Sequence, residues 1–207
     1  MAGSSVVLMS GGIESAALLY HWRSSASRLH PLYINYGQKG ATMEERACDK
    51  LCQHLNLQLG RINMSSVGEE FRALQQPAKS FVPLPHRNLV ILALGASYAC
   101  QVGSRVIALA LNKDDLGSYS SSSQSFLDSF RATAATLKPS LTLVAPLSHL
   151  TKAQVVTFGN HLGVPFADTY SCMVGRPRHC GHCHQCKLRR QAFAHVSIEE
   201  PPGFYEQ

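Results

Sequence analysis

The chain has 207 residues, a length that suits one well-packed domain with a small appendage and excludes two full domains. Its hydrophobic fraction of 45% is ordinary for a globular protein and excludes a disordered or collagen-like chain. The net charge of +6 suits acidic ligands such as nucleotides but specifies none of them. The sequence has no apolar run of membrane-spanning length and no signal-peptide pattern, so we predict a cytoplasmic protein.

The predicted elements alternate between strands and helices. Short apolar runs predict strands at residues 5–9, 32–36, 57–64, 105–111 and 141–145. Helical spacing predicts helices at residues 13–23, 42–55, 88–102, 123–137 and 151–162, with a helical turn at 69–74. We expect the very apolar helix at 88–102 to be buried, and Glu44 to lie off the apolar face of its helix. This alternation predicts a doubly wound α/β fold with a mainly five-stranded parallel sheet.

Three segments follow predicted strands and should line one crevice, because ligands of such sheets bind beyond the carboxyl ends of the strands. They are residues 10–15 (SGGIES), 35–38 (NYGQ) and 112–119. In the first segment, Gly11 and Gly12 permit a tight turn, or they let a phosphate approach backbone N–H groups at a helix N-terminus. Neither G-x-x-x-x-G-K-[ST] nor G-x-G-x-x-G is present, so these residues alone leave both interpretations open.

Four of the seven cysteines are clustered near the C-terminus, at Cys172, Cys180, Cys183 and Cys186. Four thiolates close a tetrahedral zinc shell, and a closed shell is structural rather than catalytic. An iron–sulfur cluster would use the same ligands, and one cysteine could be replaced by a nearby histidine, His179, His182 or His184. We favour zinc with four cysteine ligands. The remaining cysteines lie in helical patterns and are predicted to be small core residues: Cys48, Cys52 and Cys100.

Two further segments have unusual composition. Residues 176–190 contain five basic side chains and no acidic one, as a nucleic-acid-binding module might require. Few aromatic residues accompany these cations, so we do not favour direct nucleic-acid binding. The run of four serines at 120–123 is predicted to be a loop.

The segment SGGIES resembles the SGGxDS signature of the PP-loop ATPases. These enzymes share a five-stranded parallel core and split ATP into AMP and pyrophosphate, and their loop binds the pyrophosphate end of ATP. In that family the acidic position acts together with magnesium, and here it is Glu14 rather than Asp. Three interpretations of Glu14 stay open: a functional acid with a longer arm, an acid favoured by the helix dipole, and a mark of lost catalysis.

Longer motifs make the resemblance more specific. Residues 150–172 (LTKAQVVTFGNHLGVPFADTYSC) and 180–193 (CGHCHQCKLRRQAF) resemble the C-terminal part of the QueC family of 7-cyano-7-deazaguanine synthases. Residues 35–39 (NYGQK) resemble its DYGQR/K segment, and residues 82–88 (VPLPHRN) its VPxRN segment. The motifs occur in the family's order and cover nearly the whole chain.

The resemblance implies an ATP-dependent carbon–nitrogen ligase that forms AMP and pyrophosphate. Such an enzyme adenylates the carboxylate of 7-carboxy-7-deazaguanine, lets ammonia displace AMP to give an amide, and dehydrates the amide to the nitrile through a second adenylation. It would require ATP, Mg²⁺ and Zn²⁺, and QueC-like enzymes are often homodimers. We expect a PP-loop ATP-binding domain at residues 1–167 and a zinc-binding segment with the C-terminal tail at 168–207.

The resemblance also implies functional residues. The catalytic residues would be Lys152, Arg87 and Glu14, because cations and magnesium must hold two anions together. The ATP-binding residues would be Met9, Ser10, Gly11, Gly12, Glu14, Ser15, Tyr36, Gln38, Arg87 and Asn88. The substrate-binding residues would be Asp115 and Tyr119. The zinc ligands would be Cys172, Cys180, Cys183 and Cys186.

The sequence departs from the family pattern in the segment that is associated with substrate recognition. The family has a GYPDCR segment after the fourth strand, whereas this chain keeps Tyr119 and has Ser121 and Ser123 at the Asp and Arg positions. Asn35 also replaces an Asp. Three alternatives follow: a QueC-like antiphage-defence enzyme that joins a deazaguanine to an amine of a partner protein, another PP-loop enzyme such as a tRNA-modifying one, and a catalytically inactive nucleotide- and zinc-binding protein.

Overall fold

The computed structural model describes residues 3–24, 28–74 and 83–206, so Val82 of the VPLPHRN motif lies outside the described residues. One sheet contains the strands β1 (Ser4–Met9), β2 (Arg28–Asn35), β3 (Gly60–Asn63), β4 (Val106–Ala108) and β5 (Thr142–Val144). The strands are parallel and lie in the order β3-β2-β1-β4-β5. The predicted fold class is therefore confirmed.

The α-helices of the described residues are α1 (Ile13–Arg23), α2 (Ala41–His54), α3 (Ser65–Ala73), α4 (Arg87–Gln101), α5 (Gln124–Thr136), α6 (Lys152–His161) and α7 (His184–His195). Short 3₁₀ helices occur at Ser120–Ser122 and Phe166–Asp168. Within the described parts of the chain, no helix has the length and apolar character needed to cross a membrane.

Two apolar cores cover the two faces of the sheet. Successive side chains of a strand point to opposite faces, so Val7 of β1 belongs to one core and Val6 to the other. The first core packs the sheet against α1, α2, α6 and α7, and the second packs it against α4 and α5. Ala192 and Phe193 of α7 belong to the first core, so the C-terminal segment packs directly on the α/β layers.

Helix α4 is not fully buried, and the prediction that it would be is wrong. Its side chains cover the sheet on one side only: Leu92 is buried, whereas Leu89 is 51% exposed. Cys100 is exposed for the same reason, so the prediction that it is a core residue is wrong. Cys48 and Cys52 are buried in the first core, as predicted.

The crevice lies where the strand order reverses, at the carboxyl ends of β1, β2 and β4. Helix α6 begins near this edge, and Thr151 caps its N-terminus, as predicted. The Thr151 Oγ1 accepts a hydrogen bond from the Gln154 N–H at 3.3 Å, and the Gln154 side chain accepts one from the Thr151 N–H at 2.9 Å. This capping box fixes Lys152 as the first residue of α6.

Candidate active site

The loop between β1 and α1 is folded by its own hydroxyl groups. Ser15 is buried, and its Oγ accepts a hydrogen bond from the Ser10 N–H at 3.2 Å and donates one to the Gly12 carbonyl at 3.1 Å. Gly11 has a φ of +71°, and a Cβ there would lie 2.6 Å from the Glu44 carbonyl oxygen. A Cβ on Gly12 would make only ordinary contacts, the nearest at 3.4 Å. The turn itself thus requires Gly11 but not Gly12.

Glu14 and Lys152 form an ion pair where α1 and α6 begin. The Lys152 ammonium donates a hydrogen bond to Glu14 Oε1, and Asn112 Nδ2 donates to the same oxygen at 2.8 Å. The two charged side chains are only 15% and 12% exposed. Burial alone would raise the pKa of Glu14, but Lys152 and Asn112 hold that pKa below its ordinary value. Glu14 is therefore ionised at neutral pH.

Asp115 supplies a second carboxyl group next to Glu14. Its Oδ2 accepts a hydrogen bond from the Asn112 N–H at 3.1 Å. Burial, together with the negative charge of Glu14, raises the pKa of Asp115. Mg²⁺ in nucleotide sites is commonly bound by one or two carboxylates together with phosphate oxygens. The pair of carboxyl groups beside the β1–α1 loop fits that chemistry, and Glu14 and Asp115 could hold the ion.

Arg87 provides a cation on the other side of the crevice, at the first residue of α4. It forms a hydrogen bond with Tyr36, whose pKa is raised to about 12 mainly by burial. Burial raises the pKa values of Glu44 and Asp115, and the positive charge of Arg87 opposes both rises, so its field reaches the start of α2 and the loop that follows β4. Tyr119 lies on that loop and is 63% exposed.

Glu44 is a buried carboxyl group that the sequence pattern did not single out. Its Oε2 accepts a hydrogen bond from Gln38 Nε2 at 2.7 Å, and Gln38 Nε2 also donates to the Tyr33 hydroxyl at 3.0 Å. Burial raises the pKa of Glu44, and the Gln38 hydrogen bond and the charge of Arg87 oppose that rise. The available signal was its position in the first turn of α2, directly after the NYGQK segment. Glu44 fixes the fold of that segment.

Three predicted ATP-binding residues use their side chains within the fold. Met9 is buried in the first core. Gln38 Oε1 accepts a hydrogen bond from the Tyr36 N–H at 2.9 Å, and Asn88 Nδ2 donates one to the Ser121 carbonyl at 3.0 Å. These side chains support the crevice from within the protein. The groups that line the crevice belong to the β1–α1 loop, Arg87 and Lys152.

The four clustered cysteines come together beside the crevice. Their Sγ atoms all lie within 4.8 Å of one another, and those of Cys180 and Cys186 are 3.9 Å apart. A tetrahedral zinc site with Zn–S bonds of about 2.3 Å has S–S edges of about 3.8 Å. Although burial opposes it, hydrogen bonds such as that from the Cys183 N–H lower the pKa of Cys180 to about 6. Burial raises the pKa values of Cys172 and Cys186, so the fit to a metal ion with four cysteine ligands rests on the geometry of the four Sγ atoms.

No histidine of the described residues joins this group of thiols. His179 is buried, its Nε2 accepts a hydrogen bond from the Ser171 N–H at 2.9 Å, and its ring stacks on Phe204 with centroids 4.2 Å apart. His182 Nδ1 lies 2.7 Å from the Cys180 carbonyl oxygen. The four-cysteine set is therefore favoured over a mixed one.

The cysteine segment also forms part of the crevice wall. The Tyr170 N–H donates a hydrogen bond to the Gly11 carbonyl at 2.8 Å, which joins this segment to the β1–α1 loop. Gly175 has a φ of +82° and packs so closely on the NYGQK segment that a Cβ there would lie 2.1 Å from the Lys39 carbonyl oxygen. A change in the cysteine cluster would therefore alter the positions of two loops of the crevice, the β1–α1 loop and the NYGQK segment.

Comparison with known proteins gives the family. The family model described as Queuosine biosynthesis protein QueC matches residues 4–197. The chain belongs to the QueC family. It is 32% identical over 223 residues to the 7-cyano-7-deazaguanine synthase of Thiobacillus denitrificans, with 99% of each chain covered. It is 30% identical over 199 residues to 7-cyano-7-deazaguanine synthase 1 of Sulfurisphaera tokodaii, with 96% of each chain covered.

Solved structures share the fold of this QueC-family chain. A 4-thiouridine synthetase in complex with RNA and bound ATP superposes with a TM-score of 0.58 at 16% identity, over 94% of this chain and 50% of that one. The NH3-dependent NAD synthetase of Campylobacter jejuni gives a TM-score of 0.54 at 18% identity, over 79% of this chain and 65% of that one. These likenesses show the fold, and this chain spans only about half of the 4-thiouridine synthetase chain.

The departures from the QueC pattern have structural roles here. Asn35 Oδ1 accepts a hydrogen bond from the Gly37 N–H at 3.0 Å, so it supplies the acceptor that an Asp would supply. Ser121 is buried, and Ser123 Oγ caps α5 by accepting from the Phe126 N–H at 3.2 Å. The serine run is thus a 3₁₀ helix with a helix cap rather than the predicted loop.

The basic segment is largely bound to the chain's own C-terminal tail. Arg176 forms an ion pair with Glu206 at 2.6 Å, and the Arg190 guanidinium lies 4.0 Å from the centroid of the Tyr205 ring. Arg189 is fully buried. Three of the five cations of this segment, Arg176, Arg189 and Arg190, thus contact the C-terminal tail.

The two loop glycines should respond differently to alanine. Gly11→Ala is expected to cost about 2–4 kcal/mol of unfolding free energy, because it adds a strained φ and a clash with backbone. Gly12→Ala should change stability by less than about 1 kcal/mol but weaken ATP binding at least about tenfold, because its methyl group would occupy the space next to the phosphates. Thermal unfolding and titration with a non-hydrolysable ATP analogue measure both effects. Equal destabilisation by the two variants would contradict this assignment.

Loss of the metal should destabilise the C-terminal segment. Cys183 is the N-cap of α7 and Cys186 lies in its first turn, so a metal ion bound by these cysteines would anchor that helix. Cys180→Ser, or chelation of the wild type, is expected to lower the melting temperature by at least about 8 °C, as a loss of several kcal/mol implies for a domain of this size. Metal analysis should give one zinc ion per chain without visible absorption. Cys100→Ser is the matched control, because that thiol is exposed.

Proposed function

We propose that this protein activates the carboxylate of 7-carboxy-7-deazaguanine with ATP and transfers the acyl group to ammonia. The observation that carries the proposal is the convergence of the β1–α1 loop, the Glu14–Lys152 pair and Arg87 at one sheet edge. The similar proteins of Thiobacillus denitrificans and Sulfurisphaera tokodaii are 7-cyano-7-deazaguanine synthases, which supports the choice of the deazaguanine product. The identity of the acid and the use of ammonia as the nucleophile are part of the proposal.

The first step joins two anions, so its main requirement is positive charge. A carboxylate oxygen attacks the α-phosphorus of ATP, the bond from that phosphorus to the bridging oxygen breaks, and pyrophosphate leaves. Lys152 and Arg87 lie on opposite sides of the crevice and stabilise the charge that develops on the phosphates. N–H groups at the start of α1 bind the departing pyrophosphate, with the exposed Ser10 hydroxyl as a further donor.

Glu14 and Asp115 give this site its negative charge. Mg²⁺ held there would neutralise phosphate oxygens and make two carboxyl groups compatible with ATP. Glu14 Oε1 accepts from Lys152 and Asn112, so its carboxylate is held in a fixed orientation. Glu14 Oε2 lies towards the loop, 3.8 Å from the position that a Gly12 Cβ would take. This placement supports a functional acid rather than a residue that only favours the helix dipole.

The second and third steps use the same site. Ammonia attacks the acyl carbon, the acyl–oxygen bond to AMP breaks, and the amide forms with release of AMP and a proton. Adenylation of the amide oxygen by a second ATP, followed by loss of AMP and two N–H protons, leaves the nitrile. The crevice must therefore release AMP and bind ATP again while the amide stays in place.

The deciding experiment is a product analysis. Purified protein is incubated with ATP, Mg²⁺ and ammonium, with and without 7-carboxy-7-deazaguanine, and the nucleotides and bases are identified by mass spectrometry. AMP that depends on the acid, two AMP per nitrile, is the expected result. An adduct on a co-expressed partner protein would instead support the antiphage-type transfer. Absence of AMP with that acid, under conditions in which ATP binds, would overturn the proposed activity.

A further inference from the structure

A cavity of about 380 Å³ opens from the crevice towards α7. One wall is the loop after β4, with Asp115 and Tyr119, and its junction with the crevice is Lys152 at the start of α6. The opposite wall is one face of α7, formed by His184, Gln185, Leu188, Gln191, Ala192 and His195. Five of these positions follow the i, i+4, i+7, i+8, i+11 spacing of a single helix face, and Gln185 borders that face at i+1. The volume is within the range of small-molecule sites.

The lining of this cavity suits a flat, polar, ring-shaped ligand. Leu188 and the exposed ring of Tyr119 offer apolar surface, whereas Gln185 and Gln191 offer amides that both donate and accept hydrogen bonds. A guanine-like ring has two apolar faces and an edge that mixes N–H donors with a carbonyl acceptor. A carboxylate on such a ring would meet Lys152 at the open end of the cavity.

The serine run does not supply these polar groups. Ser121 is buried, and Ser123 caps α5, so neither lines the cavity. Of the loop residues after β4, those that reach the cavity are Asp114, Asp115, Ser118 and Tyr119. The side-chain amides that face the ligand space belong to α7. Selection of the base thus shifts from the loop to the helix that the cysteine cluster anchors.

We propose that the ring of the acyl substrate binds between the β4 loop and α7, and that Gln185, Leu188 and Gln191 determine which ring is accepted. This inference rests on the proposed function for the identity of the acid. It assigns α7 a direct role in substrate selection in addition to its role in holding the cysteine cluster.

The test compares two tryptophan substitutions on the same helix. Leu188→Trp would fill the cavity, whereas Ala194→Trp adds the same ring at an exposed position of α7 that does not line the cavity. Calorimetric titrations use 7-carboxy-7-deazaguanine, uncharged 7-cyano-7-deazaguanine and a non-hydrolysable ATP analogue. Leu188→Trp should weaken binding of both bases at least about tenfold. It should leave affinity for the ATP analogue within about twofold, and Ala194→Trp should change none of the three.

A second variant keeps the test informative if Leu188→Trp does not fold. Gln191→Leu replaces an exposed side chain of similar size, so the fold should be unaffected. We expect it to raise the KM for the acid about tenfold while kcat changes little, because it removes a hydrogen bond made equally in ground and transition states. Wild-type affinity for both bases in Leu188→Trp and Gln191→Leu would overturn the inference.

The outcomes separate this inference from the proposed function. If the wild type binds both bases, the α7 variants bind them more weakly and no AMP is released, the proposed activity fails and the cavity assignment stands. If AMP forms with the acid while both α7 variants behave as wild type, the activity stands and the cavity assignment fails. If the wild type binds neither base, both are overturned.

Discussion

Lys152→Met should reduce acid-dependent AMP release by about 10²- to 10³-fold, which corresponds to the loss of one well-placed charge in a transition state. The ammonium of Lys152 pairs with Glu14, and in the proposed reaction it would stabilise the negative charge where the phosphates of ATP and the carboxylate of the acid meet. Methionine keeps the length of the side chain and removes only the charge and the hydrogen bonds. The rate is measured at saturating ATP and acid, so that weaker binding does not enter the comparison.

The pH dependence of the variant gives a sharper test. In the wild type, Lys152 holds the pKa of Glu14 below its ordinary value, so this carboxylate is ionised throughout the neutral range. Without Lys152, burial dominates and raises the pKa of Glu14. The residual activity of Lys152→Met should therefore increase with pH over a range in which the wild type is flat. Lys152→Arg, which restores a cation, should recover a flat profile even if its rate is lower.

Lys50→Met is the matched control for this experiment. Lys50 also pairs with a carboxylate, Asp168, at 2.7 Å, but its side chain is 59% exposed and lies away from the crevice. Loss of an exposed ion pair should change stability by less than about 1 kcal/mol and leave AMP release unchanged. A Lys152→Met variant that retained most of the wild-type rate would remove Lys152 from the catalytic residues.

The elements that the sequence predicted well are those in which local pattern and final environment agree. The strands are continuous apolar runs because both sheet faces are covered, and Thr151 caps α6 because a short hydroxyl side chain precedes the helical spacing. The spacing of the cysteines likewise predicted a cluster of four thiols, since ligand sets are local in sequence. The sequence predicted that the strands are parallel, but the order β3-β2-β1-β4-β5 comes from the structure.

The features that the sequence did not predict depend on contacts between distant segments. Glu44 looks like a solvated helix residue, but its carboxyl group lies in the field of Arg87 on α4 and accepts a hydrogen bond from Gln38. Asn112 donates a hydrogen bond to Glu14, which lies 98 positions away in the sequence, and no local sequence pattern indicates such a contact. Leu89 and Cys100 are exposed because α4 touches the sheet with one face, although its composition is apolar throughout. Composition predicts burial only on average.

Arg189→Met is expected to lower the free energy of unfolding by about 3–5 kcal/mol, the usual cost of removing one partner from a buried ion pair. Arg189 is 1% exposed, and its Nε lies 2.5 Å from Glu200 Oε1 in the C-terminal tail. Its other nitrogens donate to the Phe166 carbonyl at 2.9 Å and to Thr169 Oγ1 at 2.8 Å. Loss of the guanidinium would leave the Glu200 carboxylate buried without a countercharge, with the Tyr205 hydroxyl as its remaining hydrogen-bond donor.

Urea unfolding of a small set of variants measures this effect. Arg190→Met is the matched control on the next residue: its guanidinium is exposed over the Tyr205 ring, so its loss should cost less than about 1 kcal/mol. Arg189→Met combined with Glu200→Gln should be more stable than Arg189→Met alone, because the unpaired charge is gone. If Arg189→Met unfolded like the wild type, the tail would not depend on this ion pair.

The same variant should also loosen the metal, which links the stability of the tail to the crevice. Arg189 donates a hydrogen bond to Ser171 Oγ at 3.1 Å, and Ser171 directly precedes the ligand Cys172. The Tyr170 N–H, one residue earlier, holds the Gly11 carbonyl of the β1–α1 loop. We therefore expect Arg189→Met to release zinc to a chelator faster than the wild type and to bind ATP more weakly, whereas Arg190→Met should do neither. Faster release without weaker ATP binding would show that the cysteine segment and the loop are not coupled.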